Sequence, residues 1–141
     1  MVDYPGPEGT LIASHFNVRD VTTYMAVAAL KDLRDPATMG PIPADETGRS
    51  AQKFHIEVEV KNGDALRSGW VSGKDIYAIT APIVVEALER VIADGKFVGA
   101  ISPGGAFDAL DFLKRLQTSN IGVHPSNGQR PDAASEKAAA V

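Results

Sequence analysis

Residues 53–71 read KFHIEVEVKNGDALRSGWV, and the periodicity of that run decides the sheet. Phe54, Ile56, Val58 and Val60 alternate with His55, Glu57, Glu59 and Lys61. That is the period of two expected of a strand with one apolar and one polar face. Asn62-Gly63 follows at once, a dipeptide that folds a strand back on itself. A hairpin is expected, with its second strand over residues 65–71. Because a slip of one residue exchanges the buried and exposed sets, the faces choose the register. A two-residue turn at Asn62 and Gly63 sets Glu59 opposite Leu66 and His55 opposite Trp70. A three-residue loop that includes Asp64 sets Val60 opposite Leu66, Ile56 opposite Trp70 and Glu59 opposite Arg67. The second is preferred: it buries Trp70 among apolar partners and adds an opposite-charge pair worth about 0.2–1 kcal/mol on the other face.

Downstream of the hairpin, Thr80 precedes Ala81-Pro82, the pattern of a threonine cap with proline in the first helical turn, where a missing N–H costs nothing. A helix is expected from there to Gly95, with Val84, Ala87, Leu88 and Val91 as its apolar stripe and Glu86 with Arg90 as an i,i+4 pair outside. Residues 97–102 (FVGAIS) read as a short buried strand, Pro103-Gly104-Gly105 as a turn, residues 106–117 as another helix, and residues 121–123 as a last short strand. Strand, helix, strand, helix, strand implies right-handed parallel crossovers joined to the antiparallel hairpin. Upstream, residues 11–16 (LIASHF) read as a short buried strand. Asp20 stands at the N-cap of a helix over residues 21–33, and residues 36–50 form a polar, mobile loop that flanks a site or an interface. The expected class is α+β: a mixed sheet with about three helices packed mainly on one face. Residues 1–123 form one domain, and residues 124–141, Ala-rich with Pro125, Gly128 and Pro131, lack the apolar content to fold and read as a disordered tail.

A chain of 141 residues is long enough for a core that needs no covalent staple, and the absence of cysteine excludes disulfides, thiolate metal sites and a cysteine nucleophile. Its net charge of −4, with scattered Lys and Arg, disfavours nucleic acid, whose binding needs clustered cations. No apolar run approaches the ~20 residues of a spanning helix, and Asp3, Pro5 and Glu8 stand where a signal peptide has basic and then apolar residues. A cytoplasmic protein without a membrane partner is expected.

Chemistry is sparse. His15, His55 and His124 are too dispersed for metal-ligand spacing. His55 shares a strand face with Glu57 and Glu59, which suits either acid–base work or a solvated face. Ser102-Pro103-Gly104-Gly105 between a strand and a helix has the form of an anion-binding turn or of a plain turn. The sharper candidate is the run DIYAITAP at residues 75–82, where the phenol of Tyr77, the hydroxyl of Thr80 and a helix N-terminus converge after a strand. Such a grouping suits a carboxylate substrate; the alternative is that Thr80 only caps and Tyr77 only packs.

The run GKDIYAITAPIVVEALERVIADGKFVGAISPGGAFDALDFLKRL, residues 73–116, resembles the C-terminal domain of the saccharopine dehydrogenase-like oxidoreductases. The resemblance extends over residues 18–116 and is strongest at 73–82 and 98–113. It implies the substrate-binding or oligomerisation half of an NAD(P)-dependent enzyme, with an amino-acid-type small molecule held between this half and a nucleotide-binding domain. No G-x-G-x-x-G occurs in the sequence, so the usual cradle for a dinucleotide pyrophosphate is missing. The chain alone is therefore expected to bind no cofactor, to take NAD(P) only through a separate nucleotide-binding domain, and to be inactive by itself. The second reading is a stand-alone small-molecule-binding or oligomerisation module without redox activity. In either case the strand at residues 54–61, left at a sheet edge, points to a homodimer.

Overall fold

A computed structural model describes residues 1–117 and 121–125. In chain order the elements are β1 (Val2–Asp3), α1 (Glu8–His15), β2 (Tyr24–Met25), α2 (Val27–Arg34), β3 (Lys53–Asn62), β4 (Ala65–Lys74), α3 (Thr80–Asp94), α4 (Pro103–Ala106), α5 (Ala109–Arg115) and β5 (Ile121–Pro125). The class is α+β. They fall into two compact units, Met1–Gly40 with Lys96–Asp108, and Pro41–Gly95 with the described residues from Ala109 onward. No helix among the described residues is long and apolar enough to cross a membrane.

In the first unit β1 and β2 form a two-stranded antiparallel ribbon, Val2 opposite Met25 and Asp3 opposite Tyr24. Residues 11–15 of the expected strand are instead helical, in α1, which Pro7 opens with φ −65° and whose first turn closes with Leu11 N–H donating to the Pro7 carbonyl at 3.1 Å; Phe16 is its extended C-cap. The helix expected from residue 21 begins only at Val27, because the run Val21-Thr22-Thr23-Tyr24 is β-branched and aromatic and its end pairs with β1. Asp20 caps nothing helical; its Oδ2 accepts from the Thr22 hydroxyl at 3.3 Å. Residues 97–102 form no strand. Gly99 turns the backbone at φ 85° and Val98 lies exposed, while Phe97 meets Phe107 edge to face at 5.7 Å.

The second unit is a three-stranded sheet in the order β3-β4-β5 with α3 and α5. The hairpin forms as expected, but in neither of the two registers drawn from the sequence. Asn62 pairs with Ala65, and Gly63-Asp64 makes the turn. Gly63 has φ 59° and Asp64 does not take positive φ, which is the II′ arrangement with glycine in the first central position. Asn62 stays in the strand, so Ile56 faces Val71, Glu57 faces Trp70 and Glu59 faces Ser68. Trp70 therefore lies with the acidic residues and not with Ile56, and Arg67 is opposite Val60 instead of Glu59.

β5 pairs with β4 antiparallel, Val71 opposite Val123 and Trp70 opposite His124. Every strand pair in the described residues is antiparallel, and the helices number five. The parallel crossovers and the three-helix count inferred from sequence are thus overturned. The inference required a return strand at 97–102, and without it the chain passes through α3, α4 and α5 before it enters the sheet against β4. Of the tail expected from residue 124, His124 and Pro125 belong to β5, and the remainder lies outside the described residues.

Ile79 ahead of α3, Phe112 in α5, Leu116 just beyond it, and Ile121 and Val123 of β5 are the buried apolar side chains. Gln117 Nε2 donates to the Val123 carbonyl at 3.2 Å, tying the end of the α5 segment to β5. Among the described residues no large side chain is completely buried.

Candidate functional site

The run at residues 75–82 folds as one continuous turn into α3, and the residue that organises it is Asp75. Its backbone sits at φ 55°, a left-handed conformation that aspartate tolerates better than most residues. The side chain is 7% exposed. Oδ2 accepts from the Ser50 amide at 2.8 Å and Oδ1 from the Ala78 amide at 3.0 Å. The Asp75 N–H donates to the Gln52 carbonyl at 2.7 Å, and its carbonyl accepts from Ile79 N–H at 3.2 Å. The amides of Ser50 first, then of Ala78, hold this carboxyl below its ordinary value of 3.8. Asp75 thus fastens the segment before β3 to the turn before α3, as a fully satisfied buried carboxylate.

The sequence reading placed Tyr77 and Thr80 here but gave the cap to the wrong residue. Ile79 is the N-cap of α3, and Thr80 is its first helical residue, with Oγ1 donating to the Ile76 carbonyl at 3.3 Å. Thr80 N–H donates to the Tyr77 carbonyl at 3.1 Å, so both residues stand on one turn, and Tyr77 is 69% exposed. The amides of Ala78, Ile79 and Thr80 are all taken within that turn, which leaves fewer donors for an anion than a bare helix N-terminus offers. The signal that would have found Asp75 is its spacing of three to Ala78, the i,i+3 reach of a capping carboxylate.

The segment before β3 is a built turn. Ala44 N–H donates to the Arg49 carbonyl at 2.8 Å, Pro43 and Ser50 form an antiparallel bridge, and Asp45 Oδ1 accepts from Thr47 N–H at 2.9 Å. The Thr47 hydroxyl, then its amide, holds the Asp45 carboxyl below its ordinary value. Ser102 caps the single turn of α4, its Oγ accepting from Gly105 N–H at 3.3 Å, so the Ser-Pro-Gly-Gly segment uses its own donor.

On one sheet face Glu57, Trp70 and His124 form a row across β3, β4 and β5, with His55, Ser72 and Gly122 as the next row. The His124 ring stacks on Trp70 at 4.9 Å and 13°. Gly122 makes room for it, since a Cβ there would come within 2.8 Å of His124 Nε2. Glu57 Oε1 is shielded from solvent and has no hydrogen-bond partner among the described residues. No group of three or more His, Cys, Asp or Glu in those residues could hold a metal ion.

The opposite sheet face carries Phe54, Ile56, Val58 and Val60 of β3, the last three more than half exposed. Helix α3 is reversed in the same sense. Its Glu86–Arg90 pair, expected outside, is the inward side: Arg90 Nε bonds Glu86 at 2.7 Å, Nη2 bonds Asp111 at 2.8 Å, and the guanidinium lies 5.2 Å from the centre of the Phe112 ring. Of the expected stripe Val84, Leu88 and Val91 are exposed, with Val85 and Ile92 beside them, Leu88 at 55% and Ile92 at 71%, whereas Ala87, with Ile83, is half-buried.

No protein-family model matches the chain, and no curated protein or solved structure matches it.

Proposed function

We propose that this chain is the substrate-binding and assembly half of a saccharopine dehydrogenase-like, NAD(P)-dependent oxidoreductase, inactive alone and completed by a separate nucleotide-binding domain and by a second copy of itself. The observation that carries the reading is the orientation of α3. A 15-residue helix turns its charged pair inward and leaves Val84, Val85, Leu88, Val91 and Ile92 exposed, apolar surface that another body can cover. A helix that had finished its burial within one chain would do the reverse.

Tyr77 and Thr80 are the substrate-binding residues in this reading. The exposed phenol and the lone pairs of the Thr80 hydroxyl stand on a turn whose position is fixed by Asp75, which suits a small amino-acid-type ligand. The cofactor enters with the partner domain, because the chain has no glycine-rich dinucleotide turn. The alternative, a small-molecule-binding or oligomerisation module without redox chemistry, rests on the same exposed surfaces and differs in needing no nucleotide-binding partner.

Calorimetric titration of the isolated chain with NAD+ and with NADPH tests the division of labour. The expected result is no saturable heat at micromolar protein. A micromolar Kd for either nucleotide would place a cofactor site within the chain and end this reading.

A further inference from the structure

The outer edge of β3 carries its own docking code. Gln52, just before the strand, accepts from Asp75 N–H at 2.7 Å. By the alternation of an antiparallel ladder, the even-numbered residues of β3 therefore direct their N–H and C=O toward β4, and the odd-numbered ones direct theirs outward. Among the described residues β3 has no strand neighbour on that outer side. Another antiparallel strand docking there must pair odd residues with odd, which restricts two copies of β3 to registers two residues apart.

One register fits. Resting on the assembly reading above, we infer that β3 pairs with β3 of a second copy about a two-fold axis through Ile56, joining the two sheets into one of six antiparallel strands. In that register Lys53 faces Glu59 and His55 faces Glu57, each pair formed twice by symmetry. On the other face Ile56 meets Ile56 and Phe54 meets Val58 of the second copy. All charged contacts between residues 53 and 59 are then opposite in sign or His–Glu. A shift of two residues one way sets Lys53 against Lys61 and Glu57 against Glu57. A shift of two the other way sets His55 against His55 and moves Glu59 opposite Ala51, outside the strand. A shift of four sets Glu57 against Glu59.

A second observation supports pairing at this edge. Glu57 Oε1 is shielded and lacks a donor among the described residues, and a buried acceptor in that state is costly. The Ile56 register brings a histidine, His55 of the second copy, directly opposite it. The occupant is thus a second copy of this chain, recognised through backbone pairing and charge order, in the manner of strand addition to an open sheet edge.

The sequence contains no cysteine, so single cysteines report the register cleanly. Residues facing one another outside the hydrogen-bonded pairs have Cα atoms about 4.5 Å apart, within disulfide reach. Ile56→Cys is expected to give a covalent dimer under mild oxidation. Val58→Cys is expected to stay unlinked, its two copies lying about 13 Å apart along the strands, and a mixture of Phe54→Cys with Val58→Cys chains is expected to give the mixed disulfide. Linking through Val58→Cys but not Ile56→Cys would overturn the register and leave assembly through the edge intact. A dimeric mass by light scattering with no cross-link in any variant would overturn the edge and leave assembly intact, whereas a monomeric mass for the unmodified chain would overturn both.

Discussion

Within one unit, the flank built by α5 and β5 and the flank built by β3 and α3 receive similar apolar side chains and treat them oppositely. Phe112, Leu116, Ile121 and Val123 are at most 9% exposed, whereas Ile56, Val58, Val60, Val84 and Leu88 are more than half exposed. Composition does not explain the contrast, since both sets are apolar and mostly aliphatic. Connectivity does. α5 and β5 are joined by a short segment and tied again by the Gln117–Val123 hydrogen bond, so their apolar faces are brought together by the chain itself. Among the described residues β3 is an edge strand and α3 is anchored through Arg90 by its polar side, and the apolar side chains of both stay exposed.

The largest expected effect lies on the closed flank. Phe112→Ala removes a buried ring and the platform beneath Arg90, and should cost about 3–5 kcal/mol in urea unfolding. A loss below about 1 kcal/mol would erase the distinction between the flanks. Next comes the Asp75 clamp. Its carboxyl is held below 3.8 by the Ser50 and Ala78 amides, so its contribution is complete above the unfolded value and fades as pH falls through the lowered folded value. Asp75→Asn should lower the urea midpoint at pH 7, and its difference from the parent should shrink as the pH is lowered into that acid range. A difference that stays constant with pH would mean that the carboxylate charge is not what the clamp uses. The smallest effect belongs to the open flank: Leu88→Gln in the isolated chain should change stability by no more than about 0.5 kcal/mol. A cost several times larger would place Leu88 in the core after all.

The same contrast marks what the sequence made legible. Local signals held where a few neighbouring residues settle the matter. The hairpin, the start of α3 near Thr80 and its end at Gly95, with φ 62° and a hydrogen bond to Val91, all follow from such signals. Faces and pairings did not, because they depend on partners distant in sequence. The register turned on how many of Asn62, Gly63 and Asp64 the turn takes; the II′ geometry at Gly63 leaves Asn62 in the strand and puts only Gly63 and Asp64 in the turn, which neither expected register had. The stripe of α3 was legible as a stripe, but its direction was set by Asp111 and Phe112, more than twenty residues away from Arg90. At the candidate site, Tyr77 and Thr80 were found together on one turn, while Asp75, which holds that turn, was passed over because a carboxylate there reads as a solvated loop residue.

The central claim is that the open flank is an assembly surface, and the mass of the full chain in solution tests it most directly. Light scattering on the unmodified protein at tens of micromolar should give twice the chain mass of 14.9 kDa. A mass that stays at 14.9 kDa across that concentration range would contradict the account, leaving the outward faces of β3 and α3 without a second copy to cover them.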